Sequence, residues 1–170
     1  MEIVLYQPEI AGNVGAIIRL AANSGVSLNL IKPFGFDLQE NKIRRAGLDY
    51  HDLSNTKTYN SWEEFIEINN NKSICCLSSK GVDSYWDTNL NQYDFLLFGP
   101  ESIGLPDEII SSYKTITIPM KENSRSINLA NSVGIVVFES LRQASVQQII
   151  FSISWGWYWF NIKIWDKFHY

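Results

Sequence analysis

A chain of 170 residues is the size of one ordinary domain. With 45% hydrophobic and 19% charged residues it is too apolar to be disordered, and it is long enough to bury roughly two thirds of its unfolded surface without a disulfide or a metal. Its 14 Lys and Arg against 18 Asp and Glu give a net charge of −4, which excludes a uniformly basic nucleic-acid binder and requires any polyanion to meet a local cationic patch.

Residues 3–6 form a short apolar run suited to a buried strand, ended by Pro8. Met1–Tyr6 has no basic leader region, so it reads as a strand and not a signal peptide. Asn13 is a good N-cap, and Val14, Ile17, Ile18 and Ala21 follow at helical spacing, with Gly25 as the terminator. Residues 28–31 are a second strand, stopped by Pro33. The basic stretch 39–46 reads as a short helix. Ser61-Trp62-Glu63-Glu64 matches a capping box and starts a helix through about Ile68. Strands follow at 73–78, 94–98 and 115–118, a short helix at 106–113, and a last helix from Asn131 to about Gln143.

Apolar strands alternating with helices predict an α/β fold, a mostly parallel sheet with helices on both faces. Cys75 and Cys76, the two cysteines, are neighbours on one strand; they point to opposite faces and read as core. No apolar run approaches the roughly 20 residues of a membrane span, so no membrane partner and a cytoplasmic location are expected.

Ligands in such sheets bind beyond the carboxyl ends of the strands. That rule selects three segments: 7–19, 98–106 and 119–132. In Phe98-Gly-Pro-Glu-Ser-Ile-Gly-Leu-Pro106, Gly99 and Gly104 permit close backbone approach or positive φ, so the loop either cradles a ligand or is a tight strand-to-helix turn with Glu101 solvated. In 124–132, six of nine residues are Ser, Asn or Arg, more than one helix cap needs. Arg19, among apolar neighbours, suits a carboxylate or phosphate, and an ion pair with Glu101 is one expectation. Lys42-Ile43-Arg44-Arg45 is the densest cationic cluster; with Arg125 it is the candidate for RNA phosphate contact, or else a solvated helix face. There is no dinucleotide fingerprint and no phosphate-binding Walker loop. His51 and His169 are the only histidines, His51 reads as structural, and no residue cluster has metal-ligand spacing, so no metal is expected.

Taken together, the segments resemble a known family. Asn13-x-Gly15-x-x-x-Arg19, Phe98-Gly-Pro-Glu-Ser-x-Gly104-Leu-Pro106, Ile118-Pro119 and Ser124-Arg-Ser-x-Asn128-Leu-x-Asn131 resemble the SPOUT-class RNA methyltransferases. Val4-Leu-Tyr-x-Pro-Glu-Ile10 and Arg44-Arg-Ala-Gly-Leu-Asp-Tyr-His51 are similar to the small tRNA wobble-nucleotide (cytidine or uridine) 2′-O-methyltransferases in particular. The likeness covers residues 1–143, expected to be one methyltransferase domain. It implies a C-terminal deep trefoil knot, which chain topology alone would not suggest. It implies S-adenosylmethionine bound near Leu77, Gly99, Gly104, Leu105, Ile118 and Ser126. It implies a homodimer whose sites draw residues from both chains, acting on the anticodon stem-loop of tRNA. Arg19, Glu101, Ser126 and Asn128 are the implied catalytic set, Arg19 as an electrostatic holder, since guanidinium is not deprotonated in proteins. Methylation at another tRNA or rRNA ribose, and a non-catalytic knotted RNA-binding protein, are the alternatives.

Residues 144–170 depart from the family pattern. Eight of residues 155–170 are aromatic, four of them Trp. A tail packed on the domain or dimer surface, an altered reading frame and interfacial membrane contact are the readings, in that order.

Overall fold

The computed structural model describes residues 1–36 and 55–145. The expected helix at 39–46, the cations Lys42, Arg44 and Arg45, both histidines and the aromatic segment from 146 onward lie outside the described residues.

The chain is an α/β fold built on one seven-stranded sheet. Its strands are β1 (Glu2–Tyr6), β2 (Leu28–Ile31), β3 (Thr56–Tyr59), β4 (Ile74–Leu77), β5 (Asp83–Ser84), β6 (Phe95–Phe98) and β7 (Lys114–Thr117). The spatial order is β3-β2-β1-β6-β4-β7-β5 and every pairing is parallel. The helices are α1 (Ala11–Ser24), α2 (Trp62–Ile68), α3 (Asp107–Ser112) and α4 (129–145).

Period-2 alternation sends neighbouring strand residues to opposite faces, and each face has its own core. On one, Ile3, Leu5, Leu28, Leu30, Cys75, Leu96 and Ile116 meet Val14, Ile17 and Ile18 of α1 and Val133, Val136 and Val137 of α4. On the other, Val4, Cys76, Phe95 and Leu97 meet Phe65 of α2 and Ile109 of α3. Cys75 and Cys76 are thus split between the two cores, and burial pushes both thiols up to about 12. α1 and α4 pack closely enough that a Cβ on Gly134 would lie 3.2 Å from Leu20 Cδ1.

The local signals for α2 and for the end of α1 have direct counterparts. Ser61 Oγ accepts from Glu64 N at 3.2 Å, and Glu64 in turn accepts from Asn60 N. Gly25 closes α1 at φ 71°. Asn13 does not open α1. The helix begins two residues earlier with Ile10 at the N-cap, which supplies no side-chain cap, and Asn13 is buried in the first turn. The last helix likewise starts at 129 and not at Asn131; Asn128 is its cap, accepting from Asn131 N at 3.3 Å. β3 and β5, unexpected from the sequence, are the sheet's two edges.

Candidate functional site: a cavity at the carboxyl ends of the strands

Three strands, β4, β6 and β7, end side by side at Leu77, Phe98 and Thr117. A cavity of about 370 Å³ opens beyond them. All three segments selected from the sequence reach it: Ile10 and Asn13 from the start of α1, residues 98–105 after β6, and Ile118, Met120 and Ser126–Leu129 between β7 and α4. Ser78, Ser79 and Lys80, after β4, complete the wall. The residue reading missed these last three, although the strand-end rule applied to β4 would have found them.

Glycine shapes the floor. A Cβ on Gly99 would lie 2.4 Å from Leu105 N and 2.6 Å from the carbonyl carbon of Gly104, so loop 99–105 folds onto the end of β6 only without a side chain there. Gly104 sits at φ 72° and its N–H donates to the Pro100 carbonyl at 3.0 Å, closing the loop.

Side-chain hydrogen bonds tie the loops together. Glu101 Oε2 accepts from Glu9 N at 2.8 Å, and Oε1 accepts from Ile10 N at 3.3 Å and Asn13 Nδ2 at 2.8 Å. Glu9 answers across the same gap: its carboxylate accepts from Ser102 N at 2.8 Å and from Ser102 Oγ at 2.7 Å. Those two bonds hold the Glu9 carboxyl below its ordinary value, the side-chain bond contributing most. Asn128 Nδ2 donates to Asn13 Oδ1 at 2.9 Å. Glu101 is therefore not a solvated loop carboxylate. It fixes the entry to α1 in place of the missing local cap.

Of the residues expected around a cofactor, Leu77, Gly99, Gly104, Leu105, Ile118 and Ser126 all line the cavity. Of the expected catalytic set, Glu101, Ser126 and Asn128 line it and Arg19 does not. Arg19 is exposed on the third turn of α1, roughly 12 Å along the axis from Ala11. An ion pair between Arg19 and Glu101 gives way to the Glu101 contacts just described, because Glu101 lies at the other end of the helix. Arg125 is exposed on the loop before α4, outside the cavity lining.

The cavity volume falls in the range of small-molecule sites. Its wall combines apolar side chains (Leu77, Phe98, Leu105, Leu129) with closely approached backbone at Gly99 and Gly104 and polar groups at Ser126 and Asn128. That mix suits a ligand with both an apolar ring system and hydrogen-bonding edges. Among the described residues no group of His, Cys, Asp and Glu could hold a metal ion.

A parallel sheet covered on both faces, with one built cavity at its strand ends, is the architecture of an α/β ligand-binding domain. The chain belongs to the SpoU rRNA Methylase family, which matches residues 1–138. It is 46% identical over 146 residues to a tRNA (cytidine(34)-2′-O)-methyltransferase of Aeromonas hydrophila, covering 84% of this chain and 94% of that protein. It is 42% identical to a protein of the same name in Escherichia coli K12, over 84% of this chain and 93% of that one. A solved structure concerned with the 2-OH methylation of C/U34 on tRNA superposes with a TM-score of 0.80 at 41% identity, over 85% of this chain and 95% of that one.

Proposed function

We propose that this chain transfers a methyl group from S-adenosylmethionine to the ribose 2′-hydroxyl of the tRNA wobble nucleotide, position 34, a cytidine or a modified uridine. The observation that carries this reading is the convergence of three separate loops on one cavity, locked by the Asn128–Asn13–Glu101 bonds, in a chain so similar to proteins of that name.

When bound, the cofactor supplies an electrophilic methyl group; the protein supplies position and charge. Leu77, Gly99, Gly104, Leu105 and Ile118 hold its ring system and backbone-facing edges. Ser126 and Asn128, which line the same cavity, would orient the ribose hydroxyl, and Ser126 would also contact the cofactor. Glu101 is a positioning residue: its oxygens are engaged by Glu9 N, Ile10 N and Asn13, so it acts by fixing Asn13 against the cavity. Arg19 acts as an electrostatic holder of the developing alkoxide or the neighbouring phosphate, from the far side of a subunit interface.

That role for Arg19 requires a homodimer. Its exposure, away from its own cavity, supports one. So do Ile135 and Phe138, exposed by 37% and 60% and three residues apart on α4, opposite the face that packs on the sheet. A C-terminal trefoil knot is supported by the strand order: β6 and β7, the last strands among the described residues, insert on either side of β4. Residues 1–143 act as the methyltransferase domain and 144–170 as an extension, in keeping with a family match that ends at 138. The anticodon stem-loop is the docking element, met by Lys42, Arg44, Arg45 and Arg125. No helix among the described residues is long and apolar enough to cross a membrane, in keeping with work in the cytoplasm on tRNA.

The test is transfer of labelled methyl to unmodified tRNA, with the product mapped by nuclease digestion. A 2′-O-methyl at position 34 is the expected product. A methyl at another tRNA or rRNA ribose would move the substrate assignment, cofactor binding without transfer to any tRNA would point to another RNA, and a folded protein that binds no cofactor would favour a non-catalytic RNA-binding role.

A further inference from the structure

Among the described residues Lys80 is the one cation whose side chain lines the cavity, as Glu101 is the one acid, and Glu101 is already engaged by α1. The main chain fixes where Lys80 stands. Ser78 N donates to the Ile116 carbonyl at 3.0 Å, Gly81 N donates to the Ser78 carbonyl at 3.1 Å, and Lys80 N donates to Ser78 Oγ at 3.2 Å. Gly81 presses on β7 so closely that a Cβ there would lie 2.4 Å from the Ile116 carbonyl carbon. The turn after β4 is thereby pinned to β7 and delivers Lys80 to the cavity mouth.

The ammonium is only loosely held. Its partner is Asp107 Oδ1 at 2.5 Å, and the two side chains are 60% and 83% exposed. An ion pair that exposed contributes little to stability, so Lys80 can exchange Asp107 for another anion at small cost. Its position at the solvent rim favours an anion arriving from outside over one seated on the cavity floor. A chain of net charge −4 also needs cations placed locally if it is to meet a polyanion.

We infer that Lys80 is a substrate-positioning residue that leaves Asp107 to contact a backbone phosphate of the RNA beside the ribose being methylated. This assignment rests on the reading of the cavity as an RNA ribose methylation site. Lysine meets phosphate as a point charge, so the contact fixes the strand against the cavity without reading its sequence.

The experiment compares Lys80→Gln, Lys80→Arg and Asp107→Asn with the unaltered protein in tRNA binding over a salt series, in KM and kcat for tRNA, and in S-adenosylmethionine binding by calorimetry. One phosphate contact to a single strand carries a slope of about 0.7 in log K against log salt, which is about fivefold in affinity at 0.1 M. Lys80→Gln is expected to lose that slope and that affinity through KM, with kcat and cofactor binding unchanged. Lys80→Arg should keep both, and Asp107→Asn should bind tRNA as well as or better than the unaltered protein. An unchanged slope in Lys80→Gln overturns the assignment, as does weaker cofactor binding with tRNA binding intact, or an equal loss in Asp107→Asn. The two readings fail separately. Methylation elsewhere than position 34 with the slope lost in Lys80→Gln removes the wobble assignment and keeps Lys80. Methylation at position 34 with the slope unchanged does the reverse, and a protein that binds no RNA removes both.

Discussion

Asn128 Nδ2 donates to Asn13 Oδ1 at 2.9 Å, joining residues 115 positions apart. The bond has a fixed polarity. Asn128 Oδ1 is used by Asn131 N, so its amide nitrogen must face Asn13; Glu101 accepts from Asn13 Nδ2, so Asn13 must present its oxygen to Asn128. One amide thus reads the cap of α4 on one side and a carboxylate of the β6 loop on the other. The Asn amide carries its donor and its acceptor on two separate atoms of a short planar group, which a Ser or Thr hydroxyl does not, and Gln is a methylene too long for a position this buried.

Replacing Asn13 by Leu keeps the number and branching of side-chain heavy atoms and removes both bonds. The carboxylate of Glu101 loses its side-chain donor, and the expected cost is about 1–3 kcal/mol in unfolding free energy, read from a urea midpoint. Methyl transfer should fall more steeply than stability, because the loop carrying Ser126 and Asn128 loses its tie to α1. Asn13→Asp, equal in size but bringing a second carboxylate against Glu101, should be at least as damaging at neutral pH. A transfer rate within twofold of the unaltered protein in both variants would show that the bond is incidental.

Gly99 and Gly12 make opposite predictions for the same substitution. A methyl on Gly99 meets backbone atoms at 2.4 and 2.6 Å, which no rotamer change can relieve, so loop 99–105 must move off β6. Gly99→Ala should weaken cofactor binding at least tenfold by calorimetry. Gly12, in the first turn of α1, has nothing within 4 Å of an added Cβ. Gly12→Ala should raise stability by up to about 1 kcal/mol, through the unfolded chain and helix propensity.

The thiols test the two-core architecture. Burial pushes Cys75 and Cys76 up to about 12, each in a different core, so neither offers thiolate at pH 8. A disulfide-exchange reagent should find no reactive thiol in the native chain and two after denaturation. Fast reaction of one thiol in the native state would mean that one helical layer is not seated.

The strands and the site-bearing loops were legible because their signals are local: apolar runs of four or five residues, and Gly, Pro, Ser and Asn crowded at their ends. What escaped was tertiary. Asn13 looks like an N-cap, since its sequence neighbours are those of a cap; its actual partners, Glu101 and Asn128, come from loops far along the chain. The start of α1 at Ala11 is stabilised by a carboxylate that no window around residue 11 contains. β3, Thr-Lys-Thr-Tyr, carries only one buried side chain because it is an edge, and its register with β2, not its own hydrophobicity, defines it. Arg19 was placed correctly on α1, but it stands on the third turn, away from Glu101 and outside its own cavity's lining, a separation that needs the helix start to the residue.

Acid should loosen the molecule through identifiable carboxylates. Glu9 is held low chiefly by the Ser102 hydroxyl, Asp94 chiefly by the Ser73 N–H and Glu139 chiefly by Arg142. A depressed carboxyl protonates in the unfolded chain first, so the unfolded state binds more protons as pH falls past the ordinary values of 4.5 for Glu and 3.8 for Asp. The stability these groups contribute is complete above that range and is lost as pH drops through their lower folded values. Tm measured from pH 6 to pH 3 should decline accordingly. Glu9→Gln should differ from the unaltered chain at pH 6 and converge with it near pH 3. A constant gap across the range would mean that the Glu9–Ser102 contact acts through packing and not charge.

Arg19 gives the sharpest test of the proposed dimer. It is exposed, so Arg19→Ala should fold and bind cofactor normally while losing methyl transfer. Asn128→Ala should lose transfer for a different reason, within its own cavity. If each site combines the cavity of one protomer with Arg19 of the other, a mixed dimer of the two variants contains one site with both groups intact and one site with neither. Unfolding and refolding the two inactive variants together should then restore about a quarter of full activity, the share of intact sites when dimers form at random. Arg19→Lys mixed in the same way separates point charge from fork geometry, since only a point-charge role survives that change. If Arg19 instead serves the cavity of its own protomer, every site in the mixture lacks one of the two groups. Activity after mixing would then stay at the level of the separate variants.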